Sequence, residues 1–310
     1  MQISTSYLFD RATAQMNTLT SDLAKSQTQI ASAKQVVNPS DAPDQAAAIS
    51  RIKSVIGRQD NYVKMLDTVQ SRLNLENTTL NSVSDALLRV KDITIQANAP
   101  TLNQSDRQAL AGELRAMRDQ LLSLANTKDV NGNYTFAGSR VTQPAFASNG
   151  SYQGDQTRMQ VAVGDQRNVA INRSGSKVFT PVVRTDTNGV RTGVGFFQAI
   201  DDLISAVKST DAAGKPNDIA GLQRGIGEAD SLLRGVLLAQ GEVGTDMKVV
   251  EQQGNVLQDT TLSLKTVLSN IEDLDYAAAA TKMQQQMLAL QAAQATFAKI
   301  SQNSLFNYLK

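Results

Sequence analysis

Two heptad-patterned segments, one at each end of the chain, constrain the fold more than any other feature. In the C-terminal segment Tyr276, Ala280, Met283, Met287, Leu290, Gln294 and Phe297 recur at alternating steps of four and three. That spacing is a coiled-coil seam, and Ile300 and Leu305 continue the apolar series. In the N-terminal segment Phe9, Ala12, Met16, Leu19, Leu23, Ser26, Ile30, Ala33 and Val37 step the same way without a slip. Each segment predicts a helix of roughly 45–50 Å at 1.5 Å per residue. Both are tethered to the same body, so if they pair they run antiparallel.

The outer faces of these segments are charge-poor. No acidic residue follows Asp275, and the only cations there are Lys282, Lys299 and Lys310. Gln, Ser, Thr and Asn take the polar positions in both segments. A solvated helix usually mixes Glu and Lys, whereas protein-facing interface cores are depleted of charge. An ordinary bundle helix with a Gln-rich surface gives the same pattern. The self-assembly candidates are Phe9, Met16, Leu19, Leu23, Ile30 and Val37 in the first segment. In the last they are Met283, Met287, Leu290, Phe297, Ile300 and Leu305.

Between the ends, Asn38, Pro39, Ser40, Asp41, Ala42 and Pro43 form a connector that stops the first helix, because a residue preceding proline leaves the helical region. Ser40 or Asp41 can cap a second helix, with Pro43 and Asp44 in its first turn. Ile49, Ile52, Ile56, Val63, Leu66, Leu73, Leu80, Val83, Leu87 and Val90 hold its heptad to about Ala97. Pro100 marks a turn, and Ser105 and Asp106 open a third helix through Leu110, Leu114, Met117, Leu121 and Leu124. From about Asp129 to Gly195 the chain is rich in Gly, Asn, Thr and Val. Asn131-Gly132 is a hairpin-type turn, and strands are expected at 134–136, 159–163, 169–171 and 178–183. Their shortness and polar turns predict few core contacts between this insert and the helices. Helix returns at Phe196 and again from Ile219 to Asn270, where Gly235, Gly241, Gly244 and Gly254 mark close helix approach or a bend.

The fold class is therefore mainly α, a long antiparallel helical bundle or coiled coil formed by both chain ends, with a small β-rich domain inserted mid-chain. Three parts are expected. Residues 1–40 with 271–310 form a terminal assembly domain, 41–135 with 196–270 a helical body, and 136–195 the β-rich insert.

Chemistry is sparse. The 310 residues include no Cys and no His, which removes thiolates, imidazole ligands and the usual general base. A net charge of +1 gives no sign of a nucleic-acid or anionic-membrane partner. No apolar run approaches about 18 residues, so no membrane span is expected. The start, MQISTSYLFDRATAQ, lacks the basic and apolar regions of a cleaved signal peptide. No dinucleotide, P-loop, nucleophile-elbow or zinc signature occurs. Asp186-Thr187-Asn188-Gly189 starts like a calcium loop but lacks the later ligands. Asp201-Asp202 and Glu272-Asp273 read as helix charges. No enzyme activity and no cofactor are expected.

Short pieces in order along the chain carry a resemblance. They are Ile3-Ser4-Thr5, the connector Asn38 to Pro43, Leu124-Ala125-Asn126, and Gly132-Asn133-Tyr134-Thr135-Phe136-Ala137-Gly138. Tyr152-Gln153-Gly154-Asp155, Gly241-Glu242-Val243-Gly244, Leu268 to Asp275 and Ser304 to Leu309 follow. Together they resemble the flagellar hook-associated proteins of the hook–filament junction, hook-associated protein 3 type, which are relatives of flagellin. The resemblance implies an axial subunit that leaves the cell through the flagellar type III channel and assembles outside it as a ring-like zone. It implies as partners further copies of itself, an adjacent hook-associated protein, flagellin, and a cytosolic export chaperone. Flagellin itself is the near alternative, although flagellin-like proteins carry a connector rich in Ser-Ala-Lys-Asp-Asp-Ala. A secreted coiled-coil binding module or adhesin, active as a monomer, is an alternative of another class.

Overall fold

In a computed structural model of the chain, residues 2–185, 189–211 and 216–308 are described, with side chains at Tyr7 and from Phe9 to Lys299. The possible calcium-loop start at Asp186 to Asn188 lies outside the described residues. The helices are α1 Gln2–Ser32, α2 Pro43–Ala97, α3 Gln104–Ala125, α4 Gly175–Val178, α5 Phe196–Lys208, α6 Ile219–Glu272 and α7 Tyr276–Tyr308. The strands are β1 Gln160–Gly164, β2 Arg167–Ala170, β3 Val182–Thr185 and β4 Arg191–Val194. Mainly helical with a small mid-chain sheet, the chain has the fold class its periodicity predicts. It divides into two compact units, residues 1–59 with 258–310 and residues 60–257, so α2 and α6 each contribute to both.

The second unit holds the apolar core. On α2, Leu66, Leu73, Leu80, Val83, Leu87 and Val90 of the expected heptad are all buried. Asn103 caps α3, accepting from the Asp106 amide at 2.9 Å, while the Asp106 carboxylate accepts from the Asn103 amide. This reciprocal box satisfies two donors that a helix start leaves orphaned. Arg107, fully buried, donates to the carbonyls of Ala97 at 2.8 Å and Ala99 at 3.0 Å. Its guanidinium thus closes the C-terminal end of α2, where carbonyls lack helical partners.

The insert is narrower in strand and wider in contact than its sequence suggests. β1 pairs antiparallel with β2, Val161 opposite Val169, and β3 with β4, Val182 opposite Val194. The expected strand at 134–136 is reduced to a single bridge between Lys128 and Tyr134, and Val178 closes the short α4. Asn131-Gly132 does turn, with Gly132 at φ 81° and its amide donating to the Asp129 carbonyl. The expectation of few crossing contacts fails. Phe146 of the insert packs ring to ring with Phe197 of α5, and Phe179 with both Phe196 and Phe197, centroids 5.1–6.1 Å apart, while Phe136 packs on Phe179 at 5.6 Å. Edge-to-face stacking of buried aromatics holds such a cluster together. Arg173 of the insert reaches Glu76 of α2 at 3.2 Å and Glu242 of α6 at 3.4 Å. Burial pushes the Glu76 carboxyl up, against the pull of Arg173 and Arg72.

The glycines of α6 divide by surroundings. A Cβ on Gly235 would meet the Thr180 hydroxyl at 2.5 Å, so close approach is real there, against the insert. Gly241 and Gly244 face open space, and α6 continues unbroken through both.

Candidate assembly interface

The first unit is built on α1 and α7, which run antiparallel. Phe9 meets Phe297 edge to face at 5.1 Å, and the Ser26 hydroxyl donates to the Gln286 side-chain carbonyl at 2.7 Å. Phe9, Ala12, Met16, Leu19, Leu23, Ser26 and Ile30 of α1 all turn inward, as their heptad predicts. On α7 the inward positions are Ala279, Met283, Gln286, Leu290, Ala293 and Phe297. Met283, Leu290 and Phe297 therefore lie in the seam, but Tyr276, Ala280, Met287 and Gln294 do not. Met287 is 43% exposed and Tyr276 54%. In the phase the seam takes, Gln286 lies opposite buried Ser26 and accepts its hydroxyl. Small side chains at Ala279 and Ala293 leave room for the α1 side chains opposite. The side chains of Ile300 and Leu305 lie outside the described residues, although their backbone is helical.

Val37 is not a helical seam residue. α1 stops at Ser32, and Ala33 adopts a left-handed φ of 58°. The chain then forms one bridge, Gln35 donating to the Glu272 carbonyl at 2.8 Å and Leu274 to the Ala33 carbonyl at 3.1 Å. Val36 and Val37 line a cleft of about 520 Å³ with Pro39, Ile49 and the Lys34, Lys53 and Glu272 side chains. In the connector, Asn38 is extended and exposed, and Pro39, Ser40 and Asp41 form one 3-10 turn. Asp41 bonds back to Lys25 of α1 at 3.3 Å, and Pro43 begins α2. Asp275 caps α7, accepting from the amides of Ala277 and Ala278 at 2.9 and 3.1 Å.

Glu272 is more than a helix charge. Its carboxylate accepts from Lys34 and from Lys53, each at 2.8 Å, while its side chain is only 10% exposed. The Lys34 hydrogen bond, then the Lys53 one, holds its carboxyl below the usual range. Lys34 is raised in turn by its hydrogen bond to Glu272. The adjacent carboxylate in sequence gave no warning of this, because the lysines arrive from 219 and 238 residues upstream.

The outward face of the pair has its polar groups arranged for covering. Thr18, Thr20 and Thr28 on α1, and Thr281 and Thr296 on α7, each donate their hydroxyl to the carbonyl four residues earlier, at 2.8–3.0 Å. The hydroxyl protons are thus already bonded within the helix, so burying these groups forfeits less hydration than burying unbonded hydroxyls would. Tyr7, Met287 and Leu288 stand exposed among them. Among the described residues no group of three His, Cys, Asp or Glu side chains could hold a metal, and no helix is long and apolar enough to cross a membrane.

Comparison with known proteins places this architecture. The model of the bacterial flagellin N-terminal helical region matches residues 3–141, and that of the flagellin C-terminal helical region matches 226–309. Flagellar hook-associated protein 3 of Escherichia coli is 28% identical over the whole of both chains. Its Salmonella typhimurium counterpart is 26% identical over 99% of each. A putative flagellar hook-associated protein structure from Vibrio parahaemolyticus has a TM-score of 0.67 at 20% identity, covering 75% of this chain and all of that one. FlgL of Xanthomonas campestris gives 0.62 at 22% identity, covering 71% and 99%. With both helical ends matched and the relatives shared from end to end, the chain belongs to the flagellin superfamily, among the hook-associated proteins of the hook–filament junction.

Proposed function

We propose that the chain is a structural axial subunit that self-assembles into the zone between hook and filament and presents a platform on which flagellin polymerises. The observation that carries this reading is the α1–α7 pair, whose outward face is charge-poor and has its hydroxyls already satisfied. The terminal helices are the assembly domain. Phe9, Met16, Leu19, Leu23, Ile30, Met283, Leu290 and Phe297 hold the pair together, while Met287 contributes to the face that neighbours cover. The connector from Asn38 to Pro43 sets how the pair leaves α2. An adjacent hook-associated protein lies on one side of the zone and flagellin on the other. The subunit travels through the flagellar type III channel and is held before export by a cytosolic chaperone. The filament-subunit reading is weaker, since both full-length relatives bear the hook-associated name.

Electron microscopy of a strain deleted for this chain tests the role. Hooks without filaments, with flagellin shed into the medium and filaments restored by the intact chain, are expected. Normal filaments in the deletion strain would refute it.

A further inference from the structure

The second unit segregates its charge on two surfaces that the terminal helices do not include. Between the insert and α6 lies a cleft of about 580 Å³. Arg158, Lys177 and Arg234 surround it, with Val178 and Leu238 as apolar wall. Leu238 is 73% exposed. The single acid in the lining, Glu242, is already bonded to Arg173. Arg158 has only a 3.8 Å contact to Asp246, whose closer partner is Arg173 at 2.5 Å. The cleft is a cationic groove with an aliphatic lip.

The complementary surface lies on α2. Asp85, Leu88, Asp92 and Ile95 are all exposed and fall at i, i+3, i+7 and i+10, one stripe of the helix. Leu88 is 47% exposed and Ile95 51%, although Leu87, Val90, Ile93 and Thr94 on the other face of α2 are buried. Among the described residues neither Asp85 nor Asp92 forms an ion pair. No residue of α2 lines the cleft, whose walls come from residues 156–180 and 231–242.

We propose that the cleft receives the Asp85–Leu88–Asp92–Ile95 stripe of a second copy of this chain. An amphipathic helix laid in a groove is read through anchors at this spacing. Asp85 and Asp92, about 10.5 Å apart along the helix, meet Arg158, Lys177 and Arg234. Leu88 and Ile95 close over Leu238. The charges set register and discriminate against wrong partners, while the aliphatic contact removes water from between them. Because groove and stripe are different surfaces, the contact is heterologous, and repetition builds a ring or a helix rather than a closed pair. The inference rests on the self-assembly reading and specifies a contact within it.

The chain contains no cysteine, so Leu88→Cys with Leu238→Cys supplies one reporter pair. The double variant is expressed in the deletion strain, and isolated hook–filament junctions are oxidised. A ladder of disulfide-linked multimers of this chain is expected, with each single variant remaining monomeric. Asp85→Lys with Asp92→Lys should cut attached filaments about tenfold or more, as like charges come face to face. Adding Lys177→Asp and Arg234→Asp should restore them, with unchanged circular dichroism of each purified variant. Junctions that contain the chain but give no ladder and tolerate the reversals would overturn this contact and leave the structural role standing. Disulfide capture of a different protein by Leu238→Cys would assign the cleft elsewhere and overturn it too. Absence of the chain from isolated junctions would overturn both readings.

Discussion

Glu272 shows how one side chain joins distant pieces of chain. Its carboxylate binds Lys34 from the segment after α1 and Lys53 from α2, and its backbone carbonyl accepts from Gln35. The depressed carboxyl and raised Lys34 ammonium fix the sign of the pH dependence. The Glu272 contribution is complete above the ordinary glutamate range and is lost as pH falls through its lowered value. The Lys34 contribution is complete below the ordinary lysine range and is lost as pH rises through its raised value. The joint is therefore tightest between those limits. The Gln35 and Leu274 amides, which make the bridge, should exchange hydrogen a few-fold faster once the pH has fallen through the lowered Glu272 value than at neutral pH, after correction for intrinsic rates, a modest change because both lysines are solvent-screened. Glu272→Gln should show the faster exchange at pH 7 and remove the acid step. An unchanged step in that variant would show that other carboxylates hold the joint.

At the scale of elements, the insert is part of the core that α3 and α5 share. Phe146 meets Phe197, Phe179 meets both Phe196 and Phe197, Phe136 packs on Phe179, and Arg184 of β3 binds Glu228 of α6 at 2.6 Å. Replacing residues 139–193 with a Gly/Ser linker removes Phe146 and Phe179, and should leave Phe136, Phe196 and Phe197 open and abolish cooperative melting. Phe179→Ala should cost about 3–5 kcal/mol by chemical denaturation. A cooperative transition in the linker variant would show that the helices hold a core of their own. What sequence reveals here follows from period and length. The α2 heptad is legible over many turns because Leu, Ile and Val leave only one apolar phase. The α7 phase is not, because Ala277 to Ala280 and Gln284 to Met287 offer equivalent residues on adjacent faces. The end of α1 was hidden for a different reason. Ala33 is left-handed without being Gly or Asn, a conformation that local composition does not announce. The aromatic cluster was unreadable because its members lie in four short, unrelated stretches.

At the scale of the whole molecule, burial is unevenly shared between the units. Among the described residues every fully buried apolar side chain, from Leu66 to Leu257, belongs to the second unit. The first unit has a seam of half-buried residues, and its buried side chains among the described residues are polar: Ser26, Gln59 and Glu272. Ordering a residue costs about 1–2 kcal/mol of backbone entropy, and half-burial along one seam leaves little surplus over that cost. Neighbouring copies would cover the outward faces, whose threonine hydroxyls are already bonded and whose charges are few. The terminal helices should therefore be loose in the free subunit and firm in the assembly. Limited proteolysis of the purified monomer should cut first before about Pro43 and after about Leu274, sparing the body between. The same sites should be protected in isolated junctions. Leu290→Asp, in the seam, should leave the monomer folded and soluble, with a melting transition within a few degrees of the parent, yet abolish filament attachment. Resistance of both ends in the monomer, or loss of the whole transition on Leu290→Asp, would instead make the terminal pair part of the intramolecular core, and the covering of its charge-poor faces by neighbours would no longer be needed to order it.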